Sequence, residues 1–235
     1  MPTDQEIGLL PPYCLPRLHE SQNLAAAKVW RDTLGPSYNH LQHYCMGLNL
    51  INRSFRISSQ KDRAGGLEAA LNEIDYTLKN ASPDFSLLPD IYFNHGVANS
   101  YLKRDAEALK DLSKAIEKNP RLVKAYNLMA DIYEGIKQKQ KALESVTLGL
   151  QHNPDAKSLQ KRYRDLGGKL PYPEPILPAQ VEAAKPAEPV ANEPAPKKEV
   201  EASKPVSASG SAEEDTVAQP KIGSPKNPYC RFCQD

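Results

Sequence analysis

Residues 92–120 read YFNHGVANSYLKRDAEALKDLSKAIEKNP, and residues 126–154 read YNLMADIYEGIKQKQKALESVTLGLQHNP. Laid over one another, the two are offset by 34 residues: Tyr92 falls on Tyr126, Gly96 on Ala130, Ala108 on Ala142, Leu112 on Val146 and Pro120 on Pro154. An aromatic residue, then small residues, then a closing proline at this period is the mark of stacked helical hairpins. One hairpin cannot bury its apolar face alone, so neighbouring copies stack and share a core. Gly96 and Ala130 are expected where the helices of one hairpin approach closely, with Ala108 and Ala142 as the matching small residues. A bulkier side chain there costs about 1–3 kcal/mol of strain. Pro120 and Pro154 are expected to open the following repeats, because proline fits a first helical turn but not a helix interior.

Each copy divides into two helices, Pro89–Lys103 with Asp105–Lys118 in repeat 89–122, and Arg121–Ile136 with Gln138–Gln151 in repeat 123–156. Upstream, Pro2, Pro11, Pro12 and Pro16 exclude a long helix from residues 1–19, which read as an extended lead-in. A helix near Glu20–Leu34 ends at Gly35-Pro36, the glycine suiting a C-terminal cap. A helix over about 37–57 and another over 66–80, separated by a polar loop at 58–65, form an atypical repeat at 37–83. Downstream, a helix within 155–167 carries Lys157, Lys161, Arg162 and Arg164 beside Leu159, Tyr163 and Leu166. That mixed face fits a cap on the open end of the array. Residues 169–235 change character, and 12 of the 21 prolines lie between Pro171 and Pro228. With almost no large apolar residue after Leu177, this tail is expected to be a disordered, semi-stiff spacer.

The pattern Tyr126-x-x-Met129-Ala130-x-x-Tyr133, then Ala142-x-x-x-Val146, then Pro154, resembles the tetratricopeptide repeat. Tyr92, Gly96, Ala108, Leu112 and Pro120 fit the same scheme, while His95 and Asn99 stand where the family usually has leucine and tyrosine. The resemblance covers roughly half of the chain. It implies an all-α solenoid of about three repeats with capping helices, whose inner groove is lined by the first helix of each hairpin and holds a peptide or helix of another protein. The groove positions carried over are Asn94, Val97 and Tyr101, then Lys124, Asn127 and Asp131. One subgroup grips a C-terminal carboxylate along this groove. Asn94 and Lys124 match two of its places, but Leu128 stands where an arginine is expected, which argues against that capture.

The charge is nearly balanced, 30 basic against 29 acidic residues, so nothing marks a nucleic-acid binder. No run of 18 apolar residues is present to form a transmembrane segment. Residues 1–15 lack the basic and apolar regions of a secretory leader. Read as written the protein is expected in the cytoplasm, or in the periplasm if a leader has been removed.

Four cysteines are spaced in two pairs. Cys14 and Cys45 would close a disulfide if the lead-in packs on the second helix, stabilising by roughly 3–4 kcal/mol on the chain-entropy model in an oxidising compartment. Cys230 and Cys233 form a C-x-x-C near the C-terminus, which reads as a partner hook, half a metal site or a disulfide. No histidine follows for haem attachment, and no folded framework is evident to activate a thiol. His40, His43 and Cys45 form H-x-x-H-x-C, either a half-formed metal site or two surface histidines beside a core thiol. No nucleophile–base pattern, glycine-rich phosphate loop or paired catalytic carboxylates stand out. The expectation is a non-enzymatic scaffold without a cofactor, binding another protein, its self-association undetermined. The alternative is an exported envelope component with a metal- or redox-linked role through its cysteines.

Overall fold

The computed structural model describes residues 1–176. Ten α-helices occur among them: α1 (Asp4–Ile7), α2 (Cys14–Leu18), α3 (Leu24–Leu34), α4 (Leu41–Ser54), α5 (Gln60–Asn80), α6 (Leu88–Tyr101), α7 (Asp105–Lys118), α8 (Val123–Gly135), α9 (Lys139–His152) and α10 (Lys157–Asp165). Single 3₁₀ turns at Glu20–Gln22 and Pro36–His40 precede α3 and α4. No strand occurs among the described residues, so the fold is all-α there.

Residues 1–19 are not an extended lead-in. Thr3 and Glu6 form a reciprocal capping box that starts α1, and Pro16 sits early enough in α2 to be tolerated. Ile7, Leu10, Tyr13, Cys14 and Leu18 are buried against α3 and α4. The prolines shorten the helices without preventing them. Residues 58–65 are not a loop throughout: α5 begins at Gln60, capped by Ser59, whose side chain accepts from the Asp62 N–H at 3.4 Å. Gly66 lies inside α5, and a Cβ there would come within 2.4 Å of Ser54 Oγ, so α4 crosses closely at that point.

Three pairs of consecutive helices pack on one another: α4 with α5, α6 with α7, and α8 with α9. In the middle pair three residues join Tyr101 to Asp105, and the Gly96 position faces Ala108 and Leu112. α7 therefore runs back along α6. A Cβ on Gly96 would meet the Ala108 carbonyl oxygen at 3.2 Å, which sets how near the two helices lie. Ala108, Leu112, Ala130, Ala142 and Val146 are all fully buried. Burying a side chain the size of Leu112 contributes about 1.5–3 kcal/mol.

The 34-residue offset is written into the backbone turns. Leu102, Lys103 and Arg104 donate their N–H groups to the carbonyls of Ala98, Ser100 and Asn99; Ile136, Lys137 and Gln138 donate to Ile132, Glu134 and Tyr133. Lys103 and Lys137 both sit at φ 60°, the left-handed residue that closes α6 and α8. α10 ends the same way with Gly167 at φ 92°, a position that suits glycine.

Pro120 and Pro154 lie in the connections before α8 and α10, not within the first turns of those helices. Their carbonyls accept side-chain hydrogen bonds from the helices that follow. Pro120 O accepts from the Tyr126 hydroxyl at 3.0 Å, and Pro154 O accepts from Gln160 Nε2 at 2.7 Å. Tyr126 and Gln160 are again 34 residues apart. Leu159 and Leu166 of the α10 region are buried against α8 and α9. The chain then turns back: Tyr172 packs on Tyr163, and the Ile176 N–H donates to the Gln151 carbonyl at 2.9 Å.

Candidate functional site

The six groove positions named from the sequence sit on α6 and α8, and most are tied to neighbouring helices. Asn94 Nδ2 donates to the Tyr44 hydroxyl at 2.8 Å, linking α6 to α4. Burial pushes that phenol well above its usual range, so it stays protonated. Lys124 Nζ donates to Asp90 Oδ1 at 2.6 Å and lies 4.5 Å from the Phe93 ring centroid, linking α8 to α6. Asn127 Nδ2 donates to Ser158 Oγ at 3.3 Å, and Asp131 pairs with Arg162, linking α8 to the α10 region. Val97 is buried in the core and offers no surface. Tyr101 is 40% exposed, its ring 4.6 Å from that of Phe55.

A second feature lies between α5 and α7, where α6 forms the floor of an open cleft of about 620 Å³. His95 stands on that floor, one turn before Asn99, so both side chains project from the same face of α6. Gly96 lets α7 come close enough to bring Asp111 against them. His95 Nδ1 lies 2.7 Å from Asp111 Oδ2, and Asn99 Nδ2 donates to the same oxygen at 3.0 Å. Asn99 Nδ2 also lies 3.3 Å from His95 Nδ1, so the three side chains form one polar cluster. Nε2 is buried and has no hydrogen-bond partner. Asp75 Oδ1 of α5 lies 3.2 Å from it. That is an ion-pair distance, but the alignment is too poor for a hydrogen bond. His95 and Asp111 are 14% and 10% exposed, whereas Asp75 is 63% exposed. On the rim, Arg104 pairs with Glu68, and Lys114 Nζ lies 4.9 Å from the Tyr92 ring centroid.

An equivalent cleft of about 580 Å³ lies between α7 and α9, floored by α8. Its residues occupy the same register 34 places on. Met129 replaces His95, Tyr133 replaces Asn99, Ser145 replaces Asp111 and Leu148 replaces Lys114. The first cleft is a hydrogen-bonded polar set and the second an apolar one. Sequence reasoning recorded His95 and Asn99 only as departures from a repeat pattern. The i, i+4 spacing of the two with Asp111 on the next helix was the signal that they act together.

Cys14 and Cys45 are both fully buried and joined by a disulfide, their Cα atoms 5.6 Å apart. It ties α2 to α4. His43 Nδ1 is 2.7 Å from Glu73 Oε2, its ring 3.9 Å from that of Tyr76, and the His40 ring lies 6.0 Å from that of Tyr76. Cys45 is buried away from both histidines, in the disulfide. Among the described residues no group of three or more His, Cys, Asp or Glu is placed to hold a metal. No helix there is long and apolar enough to cross a membrane. Cys230, Cys233 and the spacer from residue 177 onward lie outside the described residues. No protein-family model matches the chain, and no curated protein matches it at a significant level.

Proposed function

We propose that this protein is a tetratricopeptide-type scaffold that holds a peptide or helix of another protein and catalyses no reaction itself. The observation that carries the reading is the lateral row of first helices. α4, α6, α8 and α10 are each linked to the next by side chains, through Tyr44 with Asn94, Asp90 with Lys124, and Asn127 with Ser158. Hairpins stacked in register leave such a row as one continuous face, and continuous faces of this kind dock extended or helical segments. Tyr101 and Asp131 remain exposed on it. An aromatic ring beside charged hydrogen-bonding groups is suited to anchoring a partner.

A photo-reactive side chain in place of Tyr101, in the full-length protein in its native cell, tests the reading. One discrete crosslinked partner, absent when the same group replaces the exposed Lys61 of α5, is the expected result. Equal crosslinking from both positions, or none from either, would count against it.

The disulfide favours the exported form of this scaffold, because such bonds persist in oxidising compartments and are rare in the cytosol. Thiol counting on protein taken from its native source addresses this directly. Free thiols at Cys14 and Cys45 would exclude the exported form.

A further inference from the structure

We propose that the apolar cleft between α7 and α9 is a docking site for residues 226–232 (KNPYCRF) of the same chain, with Tyr229 and Phe232 as the anchors. This does not depend on the scaffold reading. By the helical period, Met129 and Tyr133 of the cleft stand on the side of α8 opposite Asn127 and Asp131.

The observation that points to it lies one repeat on. Tyr163 falls 34 residues after Met129, and Gln151 falls 34 after Glu117; the two earlier residues both line the α7–α9 cleft. Against the two later positions the chain lays its own non-helical strap, residues 170–176. The Tyr172 ring lies 5.9 Å from that of Tyr163, and Arg164 donates to the Tyr172 hydroxyl. The Ile176 N–H meets the Gln151 carbonyl at 2.9 Å. A third copy of the groove, floored by α10 and walled by α9, is therefore covered by a stretch bearing proline and tyrosine. The α7–α9 cleft has the same register and no cover among the described residues. Leu148 is 41% exposed on its wall, beside Ile116, Met129 and Tyr133.

The sequence supplies a cover of the same kind. Lys169-Leu170-Pro171-Tyr172 of the strap is matched in spacing by Lys226-Asn227-Pro228-Tyr229. Tyr229 and Phe232 are the only aromatic residues among the 59 from 177 to 235, so that stretch has its largest apolar groups there. Met129 suits such a ring, since a thioether packs favourably against an aromatic edge. Charge selects the same residues. The charged residues lining the cleft are Glu117 and Glu144 against Lys141. Residues 226–232 carry Lys226 and Arg231 and no acid, whereas residues 177–225 carry eight acids against five bases. A net-negative rim attracts the first stretch and repels the second. The chain also reaches. Ile176 is tied to Gln151 at the C-terminal end of α9, about 15 Å along that helix from Lys141. The 49 residues from 177 to 225 span about 35–40 Å as a random coil. Such a tether keeps the segment at an effective concentration on the order of millimolar, so modest anchoring fills the cleft.

The test uses the full chain with its Cys14–Cys45 bridge intact. Cys230→Ser and Cys233→Ser keep the tail thiols from crosslinking on their own. A photo-reactive side chain replaces Ser113, an exposed residue lining the cleft. Equal amounts of ¹⁵N-labelled and unlabelled protein are mixed, irradiated when dilute, and mapped by mass spectrometry. Crosslinks to residues 226–232 within chains of one isotope are expected. Tyr229→Ala with Phe232→Ala should reduce them at least tenfold. So should Leu148→Lys, which gives this wall the lysine that the first cleft carries in the same register at Lys114. Leu148 is exposed, and an unchanged circular dichroism melt would show that the fold survives the exchange. Crosslinks spread evenly over residues 177–235, or unchanged by the Tyr229→Ala/Phe232→Ala pair, would overturn the proposal. So would mixed-isotope crosslinks, which would assign the cleft to a second copy of the chain, or no crosslink to residues 177–235 at all.

Discussion

The cleft between α5 and α7 and the cleft between α7 and α9 are the same groove built twice, with opposite fillings. Tyr92 and Tyr126 begin the two floors; His95, Asn99 and Asp111 follow in one, Met129, Tyr133 and Ser145 in the other. Their backbones match hydrogen bond for hydrogen bond through the turns at Lys103 and Lys137. The hairpin therefore asks only for small residues at its crossing and for something of suitable size on its floor. What that something is remains free for other use. A hydrogen-bonded histidine and aspartate cost desolvation that a methionine and a serine do not, so the polar floor is an addition to the architecture.

Four measurements sharpen or break this comparison. The largest effect belongs to what the clefts share. Leu112→Ala should lower the unfolding free energy by about 2–5 kcal/mol. Val146→Ala should cost less, since it removes fewer buried carbons. A larger loss at Val146 in denaturant titrations would show that the two hairpins are not one design. Next come the differences. Asp111→Ala alone strips His95 and Asn99 of their acceptor and should cost about 1–3 kcal/mol. The triple exchange His95→Met, Asn99→Tyr and Asp111→Ser copies the second floor onto the first. It should be neutral or stabilising. A triple variant less stable than Asp111→Ala would mean that the polar set is structural after all.

Third, the glycine crossings are inverted between repeats. Gly96 matches Ala130, but Ala115 matches Gly149. A Cβ on Gly149 would lie 2.8 Å from Tyr126 Cγ and 2.9 Å from Leu159 Cδ1, both held in the core. Gly149→Ala should therefore cost about 1–3 kcal/mol. At Gly96 the nearest atoms are 3.2 Å away, and the gain of about 0.5–1 kcal/mol from removing a helical glycine offsets the squeeze. Gly96→Ala should melt close to the parent protein, and a cost as large as that at Gly149 would contradict the packing described. Smallest is Tyr126→Phe, which loses the hydroxyl bond to Pro120 O, about 0.5–1.5 kcal/mol. Burial pushes the Tyr126 phenol up to about 12 from 10.0. The unfolded chain thus ionises first, and stability present below pH 10 drains away as pH rises towards 12. Melts across that range should fall more steeply for the parent than for Tyr126→Phe.

Much of the helical layout could be read from the residues, because long helices with a repeated apolar stripe declare themselves. α7 runs over Asp105–Lys118, the same bounds that the apolar spacing gives. The N-terminal part was less legible. Residues 60–65 read as loop because none of them is buried, so the first turns of α5 carry no apolar stripe. Residues 1–19 read as extended because four prolines mask short helices held by tertiary burial and a disulfide. The groove candidates came from the family resemblance, which does not reveal a cross-helix partner, and Asn94 and Lys124 are occupied by theirs. The polar floor was visible only as a misfit. A pattern records that histidine is not leucine, and three-dimensional packing is needed to bring Asp111 and Asp75 to it.

The disulfide between Cys14 and Cys45 also has a mechanical meaning. Its two ends are 31 residues apart in sequence, and α3 lies between them. A pull on the N-terminus cannot unzip α2 and α3 in turn; tension passes across the sulfur bridge straight into α4, at the heart of the first core cluster. Residues 15–44 form a slack ring that bears no load. The molecule's grip on anything attached before residue 14 is then set by the strength of α4's packing, not by the weaker turns that precede it.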